Sequence, residues 1–535
     1  MKNFTKKTLN DCLENLDFPS VDFSLQIPKN IEHGDLATNI AFLLSKKINK
    51  NPLDVAEILK KELDKSNSFS EVMIAKPGFI NLKLSTKIVV KRLEKILIEN
   101  ETYGSNKKGS NKKVQIEFVS ANPTGPLTVG HGRGAILGDC LSNIFIWNGY
   151  EVDREYYYNN AGRQMRVLAE SVLARYSQIS DANFQFPEEG YKGEYIRNIA
   201  NKIYQKHGDK LSADLDIFKD FAEEYIFKEI NKALINLGIK FDSFFNEKTL
   251  YENNNIYQII DLLKNKKLIY EKDGATWFEG TKVGRNADRV LIKKTGEPTY
   301  RLPDIAYHKT KFDRNYDIIV DVFGADHMDA YPDVLEALNQ IGYDVNKIKV
   351  MIHQFVTILE NGEPIKMSTR EANFITLNEL IKEVGSDAVR YFFIMRSMNS
   401  HLNFDLKIAK EKNENNPVFY IQYAHARICT ILSKAPKFDG KANLELLNSK
   451  EEIKLIFNLI EFENIVTKIA NSLEPQLLAN YLHELASLFH KYYAHNRIIL
   501  DNQELCYARI VLIKSIKIVI FNGLKILGIS CPEKM

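Results

Sequence analysis

Cysteine is scarce in this chain. Five of 535 residues, Cys12, Cys140, Cys429, Cys506 and Cys531, are scattered without any short metal-ligand spacing. No disulfide framework or thiolate zinc site is therefore expected, and a reducing cytosol is the expected setting. Long hydrophobic runs are missing too: the greasiest stretch, near the C-terminus, is interrupted by Asn522, Gly523 and Lys525, so nothing reads as membrane-spanning. The opening Met1-Lys2-Asn3-Phe4-Thr5-Lys6-Lys7 has no apolar block behind its basic residues, so no secretory signal is expected. Charge of one sign is also lacking. Lys and Arg number 72 against 69 Asp and Glu, a net +3 that neither demands nor excludes a nucleic-acid partner. The short runs Lys107-Lys108, Lys112-Lys113 and Lys264-Asn265-Lys266-Lys267 read as solvated faces or linkers before they read as phosphate contacts. What remains is a globular composition, 44% apolar and 26% charged, in a chain long enough for about three or four domains.

Gly104 to Lys113 is small and polar with nothing to bury, so it reads as a linker that sets off residues 1–104 as a separate α+β unit. Within that unit Ile40, Ala41, Leu43, Leu44 and Ile48 follow a helical period, and Phe79 to Leu84 alternates like a strand. From 112 to 375 the pattern changes. Val114 to Val119 has strand character, the Pro- and Gly-rich stretch to Gly130 breaks regular structure, and Ile136 to Phe145 repeats as a helix stopped by Asn148-Gly149. A strand over 152–158, a loop over 159–162 and a helix over 165–176 follow. A polar, aromatic-rich region from about 177 to 290 interrupts this rhythm, with the insertion proper at about 177–240, before Asp317 to Phe323 resumes it as a buried strand. The expectation is an α/β, Rossmann-like doubly wound parallel sheet, with ligands at the carboxyl ends of its strands. A connecting stem is expected over 376–404, and an all-α helical bundle over 405–535, where Leu482, Leu485 and Phe489 mark helical stripes.

Thr128-Val129-Gly130-His131 lies next to the amino end of the first helix expected in that sheet. Gly130, Gly132 and Gly134 leave room for a base or phosphate against the backbone, and the helix amino end favours anions. His131 adds a hydrogen-bond donor able to follow a phosphate into its transition state. The bland alternative is a Gly-rich turn with a capping histidine. Far downstream, Lys366-Met367-Ser368-Thr369-Arg370 follows the turn Asn361-Gly362-Glu363-Pro364, so its cations sit on a loop able to close over a triphosphate.

On these residues the chain resembles the class I arginyl-tRNA synthetases over nearly its whole length. Glu117 to Pro126 followed by Val129 to Gly134 is similar to that family's first signature, and Lys366 to Arg370 to its second. Arg154 to Asn159, Gly324-Ala325-Asp326-His327, Asp387-Ala388-Val389-Arg390 and, in the first unit, Gly34 to Asn39 add further matches in family order. The resemblance implies that arginine's carboxylate attacks the α-phosphate of ATP, carried with Mg2+, and that the adenylate then passes arginyl to the terminal ribose of tRNA(Arg). It also implies that tRNA binds before the first step, that the N-terminal domain contacts the tRNA elbow, and that the C-terminal bundle reads the anticodon. His131, Lys366, Ser368 and Thr128 are implied as catalytic, Gly130, Gly132, Gly134, His131, Lys366 and Met367 as ATP-binding, and Asn122, Glu247, Tyr300, Asp304 and His327 as arginine-binding. No protein-held metal is implied, and a monomer is expected. A planar guanidinium pairs best with acidic oxygens, which is why Asp304 and Glu247 suit that role. In the bundle, Tyr420, Tyr423, Tyr492 and Tyr493 are candidates to stack on splayed bases.

Two residues depart from the class I pattern: Thr128 stands where the first histidine is usual, and Thr369 where the second lysine is. They motivate a rival reading, a catalytically impaired tRNA-binding or regulatory protein. A synthetase for cysteine is a third, but it would need zinc-ligating thiols that the five cysteines do not supply.

Overall fold

In the computed structural model, which describes residues 2–26, 28, 30, 33–365, 375–437 and 441–535, the run Val114 to Glu117 is the central strand of a parallel sheet. The elements that build this layer are β1 (Lys113–Glu117), α1 (Val129–Trp147), β2 (Glu151–Tyr158), β3 (Ser243–Asn246), α2 (Arg301–Asp313), β4 (Ile318–Gly324), α3 (Tyr331–Gln340) and β5 (Ile348–His353). The strands lie in the order β3-β2-β1-β4-β5, all parallel. The winding reverses between β1 and β4, so a crevice opens beyond their carboxyl ends, the place where such sheets take ligands. Ile116, Ile319 and Val320 are fully buried, as expected of strands covered on both faces.

The first helix begins earlier than its apolar pattern suggests. It starts at Val129, so Gly130, Gly132 and Gly134 lie in its first turns and not in a preceding loop. The segment before it carries the distortion instead: Val119 and Ser120 adopt positive φ of 69° and 43°, a conformation that costs a β-branched residue about 1–3 kcal/mol and that the surroundings must hold in place.

The sheet alternation is interrupted twice. Helices Glu194–His207 and Leu215–Asn236 pack beside Gly162–Ser180, and the chain then returns to the sheet as β3. A second excursion holds the helix Asn255–Asn265 and a three-stranded antiparallel sheet of Ile269–Lys272, Ala275–Phe278 and Arg289–Ile292.

The N-terminal unit is α+β, with helices Ile40–Ile48 and Pro52–Leu63 against a four-stranded antiparallel sheet that includes Phe79–Leu84. The stretch from Gly104 to Lys112 does bury something, contrary to the linker expectation. Gly104 lies against the Phe462 ring and Gly109 against Tyr150, where side chains on those glycines would collide. The backbone N–H groups of Asn106 and Gly109 donate to Trp147 and Asn148 (3.0 and 2.9 Å). It is a packed strap, and polarity misread it because the missing side chains of glycine are what make room for the rings.

Helices Pro417–Lys434, Lys450–Ser472, Gln476–His495 and Gln503–Leu527 form the C-terminal bundle, with Leu482, Leu485 and Phe489 in its core. Arg390, 1% exposed, ties this bundle to the sheet domain. Its guanidinium donates to Leu527 O (2.7 Å), to Leu237 O (2.8 Å) and to Asp139 Oδ2 on α1 (2.5 Å).

Candidate active site at the sheet switch point

At the amino end of α1, His131 turns back on its own helix. Its Nδ1 accepts from the Thr128 backbone N–H at 3.2 Å and lies 3.3 Å from Thr128 Oγ1. An Nδ1 that accepts leaves the proton on Nε2, so a neutral imidazole presents an N–H outward. Burial lowers the pKa of His131, with Asp326 pulling the other way, which keeps the ring neutral near pH 7. The capping role and the donor role are thus the two ends of one ring. Thr376 bridges Thr128, and Leu377 N–H donates to Leu127 O (2.8 Å), so the chain just after the downstream motif lies beside the upstream one.

The glycines divide. A Cβ on Gly132 would stand 2.6 Å from Leu377 Cδ1, and one on Gly134 2.9 Å from His353 Nε2. The expected room for a nucleotide beside these two is filled by protein, because α1 packs there. Gly130 meets nothing nearer than Thr128 Oγ1 at 3.6 Å and keeps its space.

Beyond β4 a small cavity of about 20 Å³ is lined by Asp304, His308, Asp321, Phe323, His327, Tyr331 and Val334, among others. Among the described residues no hydrogen bond or salt bridge reaches the Asp304 carboxylate. Burial pushes its pKa up to about 7, with Glu117 and Glu247 adding to the rise and His308 and Lys311 opposing it. An acid left unpaired in such surroundings favours a cation, which restores its charge. Glu247 accepts from Tyr157 Oη at 2.6 Å. His327 stacks on Phe323 (4.8 Å, 19°) at the rim of the cavity.

Behind Asp304 runs a buried ionic network. On α2, Asp304, Tyr307, His308 and Lys311 fall at i, i+3, i+4 and i+7, one face of a helix. Lys311 is fully buried and donates to Glu117 Oε2 and Asp321 Oδ1, both at 2.6 Å. His308 bonds Asp304 O through Nδ1 (2.8 Å) and Asp321 Oδ2 through Nε2 (2.9 Å). Both partners accept, so both ring nitrogens carry protons. Burial and Lys311 work against that charge, but Asp321 outweighs them and His308 stands above its ordinary pKa. Glu117 also accepts from Ser120 Oγ (2.8 Å), which links the network to the left-handed pair Val119 and Ser120. The sequence reading missed His308, Lys311, Asp321, Tyr157 and Glu117 as site residues. The polar helical spacing on α2 and the lone acid Asp321 inside an apolar strand were the available signals.

Other expected residues stand as follows. Asn122 has its carbonyl taken by Asn159 N–H (2.9 Å) and donates to Gln164 Oε1 (3.2 Å), so it ties the loop over 159–161 to the signature segment. Tyr300 is 67% exposed with its ring against Arg301; it precedes α2 and lies one turn from Asp304, whose backbone N–H donates to Tyr300 O (3.2 Å). Lys366, Met367, Ser368, Thr369 and Arg370 lie outside the described residues.

In the bundle, a cleft of about 1270 Å³ is lined by Tyr423, Arg427, Tyr493, His495 and Arg497, among others. Arg427 lies over the Tyr423 ring (4.5 Å) and near that of Tyr493 (5.4 Å). Tyr492 is 2% exposed and donates to Glu452 Oε1 at 2.8 Å, so this candidate base reader is core. Its neighbour on the helix, Tyr493, is the one turned outward.

Three family models match the chain: an arginyl tRNA synthetase N-terminal domain over residues 3–84, a class I tRNA synthetase (R) catalytic domain over 92–396, and a DALR anticodon binding domain over 421–535. Among curated relatives, the arginine–tRNA ligase of Chlorobaculum tepidum is 47% identical over 552 residues and covers 100% of both chains. That of Desulfotalea psychrophila is 45% identical over 522 residues, 96% of this chain and 95% of the relative. The solved Thermus thermophilus arginyl-tRNA synthetase shares the fold at 20% identity, with a TM-score of 0.78 over 100% of both chains.

Proposed function

The chain belongs to the class I arginyl-tRNA synthetases, and from that premise we propose that it joins arginine to tRNA(Arg) at the expense of ATP. The observation that carries this reading is the Asp304 carboxylate, unpaired among the described residues, in a cavity beside β4, with the His131 end of α1 following the neighbouring strand β1. An acidic, largely enclosed pocket suits a cationic side chain, and a helix amino end with an outward N–H suits a phosphate.

Asp304 and Glu247 take the guanidinium, and His327, half-exposed on the cavity rim, moves aside to admit it, since about 20 Å³ holds little more than a water molecule. The arginine carboxylate then attacks the α-phosphorus of the Mg2+-bound ATP. The bond to the β-phosphate oxygen breaks and pyrophosphate leaves. His131 Nε2–H stabilises the charge that builds on the transferring phosphate, while Thr128 fixes the ring through Nδ1. Asn122 holds the loop against which the amino acid's polar end lies. In the second step a terminal ribose hydroxyl attacks the arginyl carbonyl and AMP departs. Lys366, Met367 and Ser368 act on the triphosphate, tRNA binds before activation, and the enzyme works as a cytoplasmic monomer. The N-terminal domain, residues 1–104, contacts the tRNA elbow, and Tyr423, Arg427 and Tyr493 meet the anticodon loop.

Aminoacylation of total tRNA with each amino acid, alongside pyrophosphate exchange with and without tRNA, tests the reading. Charging with an amino acid other than arginine overturns it. Exchange at full rate without tRNA overturns only the order of binding. Binding of tRNA with no release of pyrophosphate would favour the impaired-enzyme reading instead.

His131→Asn keeps a polar group of similar size but moves the donor. Its rate of arginine-dependent exchange is expected to fall by about 10²–10³-fold with little change in the arginine KM. A second pair of variants addresses Thr369: we expect Lys366→Ala to abolish exchange and Arg370→Ala to lower it about tenfold or more, because Arg370 supplies the charge that Thr369 lacks. An unchanged rate in Arg370→Ala removes that compensation.

A further inference from the structure

Three arginines converge on one aspartate of α3, the helix whose first turn lines the cavity. Asp333, 3% exposed in the first turn of α3, accepts from Arg285 Nε at Oδ1 (3.0 Å) and from Arg289 Nε and Arg301 Nε at Oδ2 (3.0 and 3.2 Å). One carboxylate neutralises one guanidinium, so two positive charges are left over. The amino ends of α2 and α3, where Arg301 and Asp333 sit, add their partial positive charge to the same place. Each arginine spends its Nε on Asp333, and among the described residues none of their terminal Nη groups has an acceptor. Their side chains are 29%, 36% and 15% exposed. The carboxylate acts as a hub that gathers the three guanidinium groups through Nε and leaves their Nη groups without an acceptor among the described residues. That is the donor chemistry for phosphate oxygens.

Place decides which phosphate. Ala330, Tyr331 and Val334, the neighbours of Asp333 on α3, line the Asp304 cavity, and Arg301 stands one turn before Asp304 on α2. Arg285 and Arg289 belong to the antiparallel excursion between β3 and α2, not to the His131 end of α1. The cluster thus shares α2 and α3 with the amino-acid cavity and is built from different elements than the candidate nucleotide end.

We propose that Arg285, Arg289 and Arg301, held by Asp333, form a phosphodiester-binding subsite that docks the backbone of the tRNA acceptor arm beside the arginine cavity. This rests on the function proposed above, since the acceptor end must reach the adenylate made there. A positively charged cluster of this kind positions RNA without reading its sequence.

The test uses the full-length protein and tRNA. Arg285→Gln and Arg289→Gln are each expected to weaken tRNA affinity about three- to tenfold and to reduce the slope of log affinity against log salt by about one. Arg285→Lys, which keeps the charge, should restore the slope. At saturating tRNA, kcat and the arginine KM should stay at wild-type values. An acceptor-stem minihelix should compete less well against tRNA on the glutamine variants, while an anticodon stem-loop competes as before. Unchanged tRNA affinity and slope in both glutamine variants overturn the proposal. So does weaker product inhibition by pyrophosphate with unchanged tRNA affinity, which would make the anion pyrophosphate. If either glutamine variant misfolds, the other and the lysine variant carry the same reading. Absence of arginine charging by the wild-type protein would instead refute the function itself.

Discussion

Asp304→Asn is expected to lower kcat/KM for arginine by about 10²–10³-fold, the equivalent of roughly 3–4 kcal/mol, with most of the loss in the arginine KM. The substitution keeps the shape of the side chain and removes its charge, so a guanidinium would enter without its main counter-ion. The wild-type protein should also show a pH dependence that the variant lacks. In the free protein burial holds Asp304 up to about 7, with Glu117 and Glu247 raising it and His308 and Lys311 lowering it. Only the ionised form pairs with arginine. Below about pH 7 the site must lose a proton to bind, so arginine affinity should fall by up to about tenfold per pH unit as the solution is acidified, and level off above about pH 7. Arginine binding by calorimetry in buffers of different ionisation enthalpy should register proton release near neutrality. If Asp304→Asn binds arginine as tightly as wild type at pH 7.5, Asp304 is not the guanidinium's partner.

Lys311→Met is expected to destabilise the sheet domain strongly. Lys311 is fully buried between Glu117 and Asp321, and methionine replaces its volume without its charge. Two carboxylates then remain in the core, with His308 as the only cation bonded to Asp321 among the described residues. Removing one partner of a buried ion pair costs about 3–5 kcal/mol, more than is regained from the apolar side chain. The effect is read as a lowered urea midpoint of the transition that reports on the sheet domain, since a chain of several domains need not unfold in one step. Lys311→Arg should recover part of the loss, because it keeps the charge but not the length. An unchanged midpoint for Lys311→Met would mean that Glu117 and Asp321 take up protons at little cost.

The elements that the sequence made legible are those whose residues carry their own period. Phe79–Leu84 alternates and is a strand, Ile40–Ile48 repeats at helical spacing and is a helix, and Ile318–Gly324 is apolar enough to be a covered strand. The elements it obscured depend on partners elsewhere in the chain. Gly132 and Gly134 read as space for a ligand until Leu377 and His353 are seen to occupy it. Gly104 to Lys112 reads as a linker because nothing local says that Phe462 and Tyr150 will rest on its glycines. Tyr492 and Tyr493 are adjacent in sequence, yet the helix turns one into the core and the other toward the cleft.

By itself the sequence determined the order of sheet, insertion and bundle and the signature around His131, while the acid at 304 was singled out only by the resemblance to the arginyl-tRNA synthetases. The order and the signature follow from side-chain type and local period, which are written in consecutive residues. Only the tertiary structure decided which of these groups act together. It left the Asp304 carboxylate without a hydrogen-bond partner among the described residues while giving Lys311 two, fixed the tautomer of His131 through Thr128, and gathered three arginines on Asp333. The reason is that charge and protonation depend on what lies within a few ångströms, and in this fold those neighbours come from strands and helices far apart in the chain.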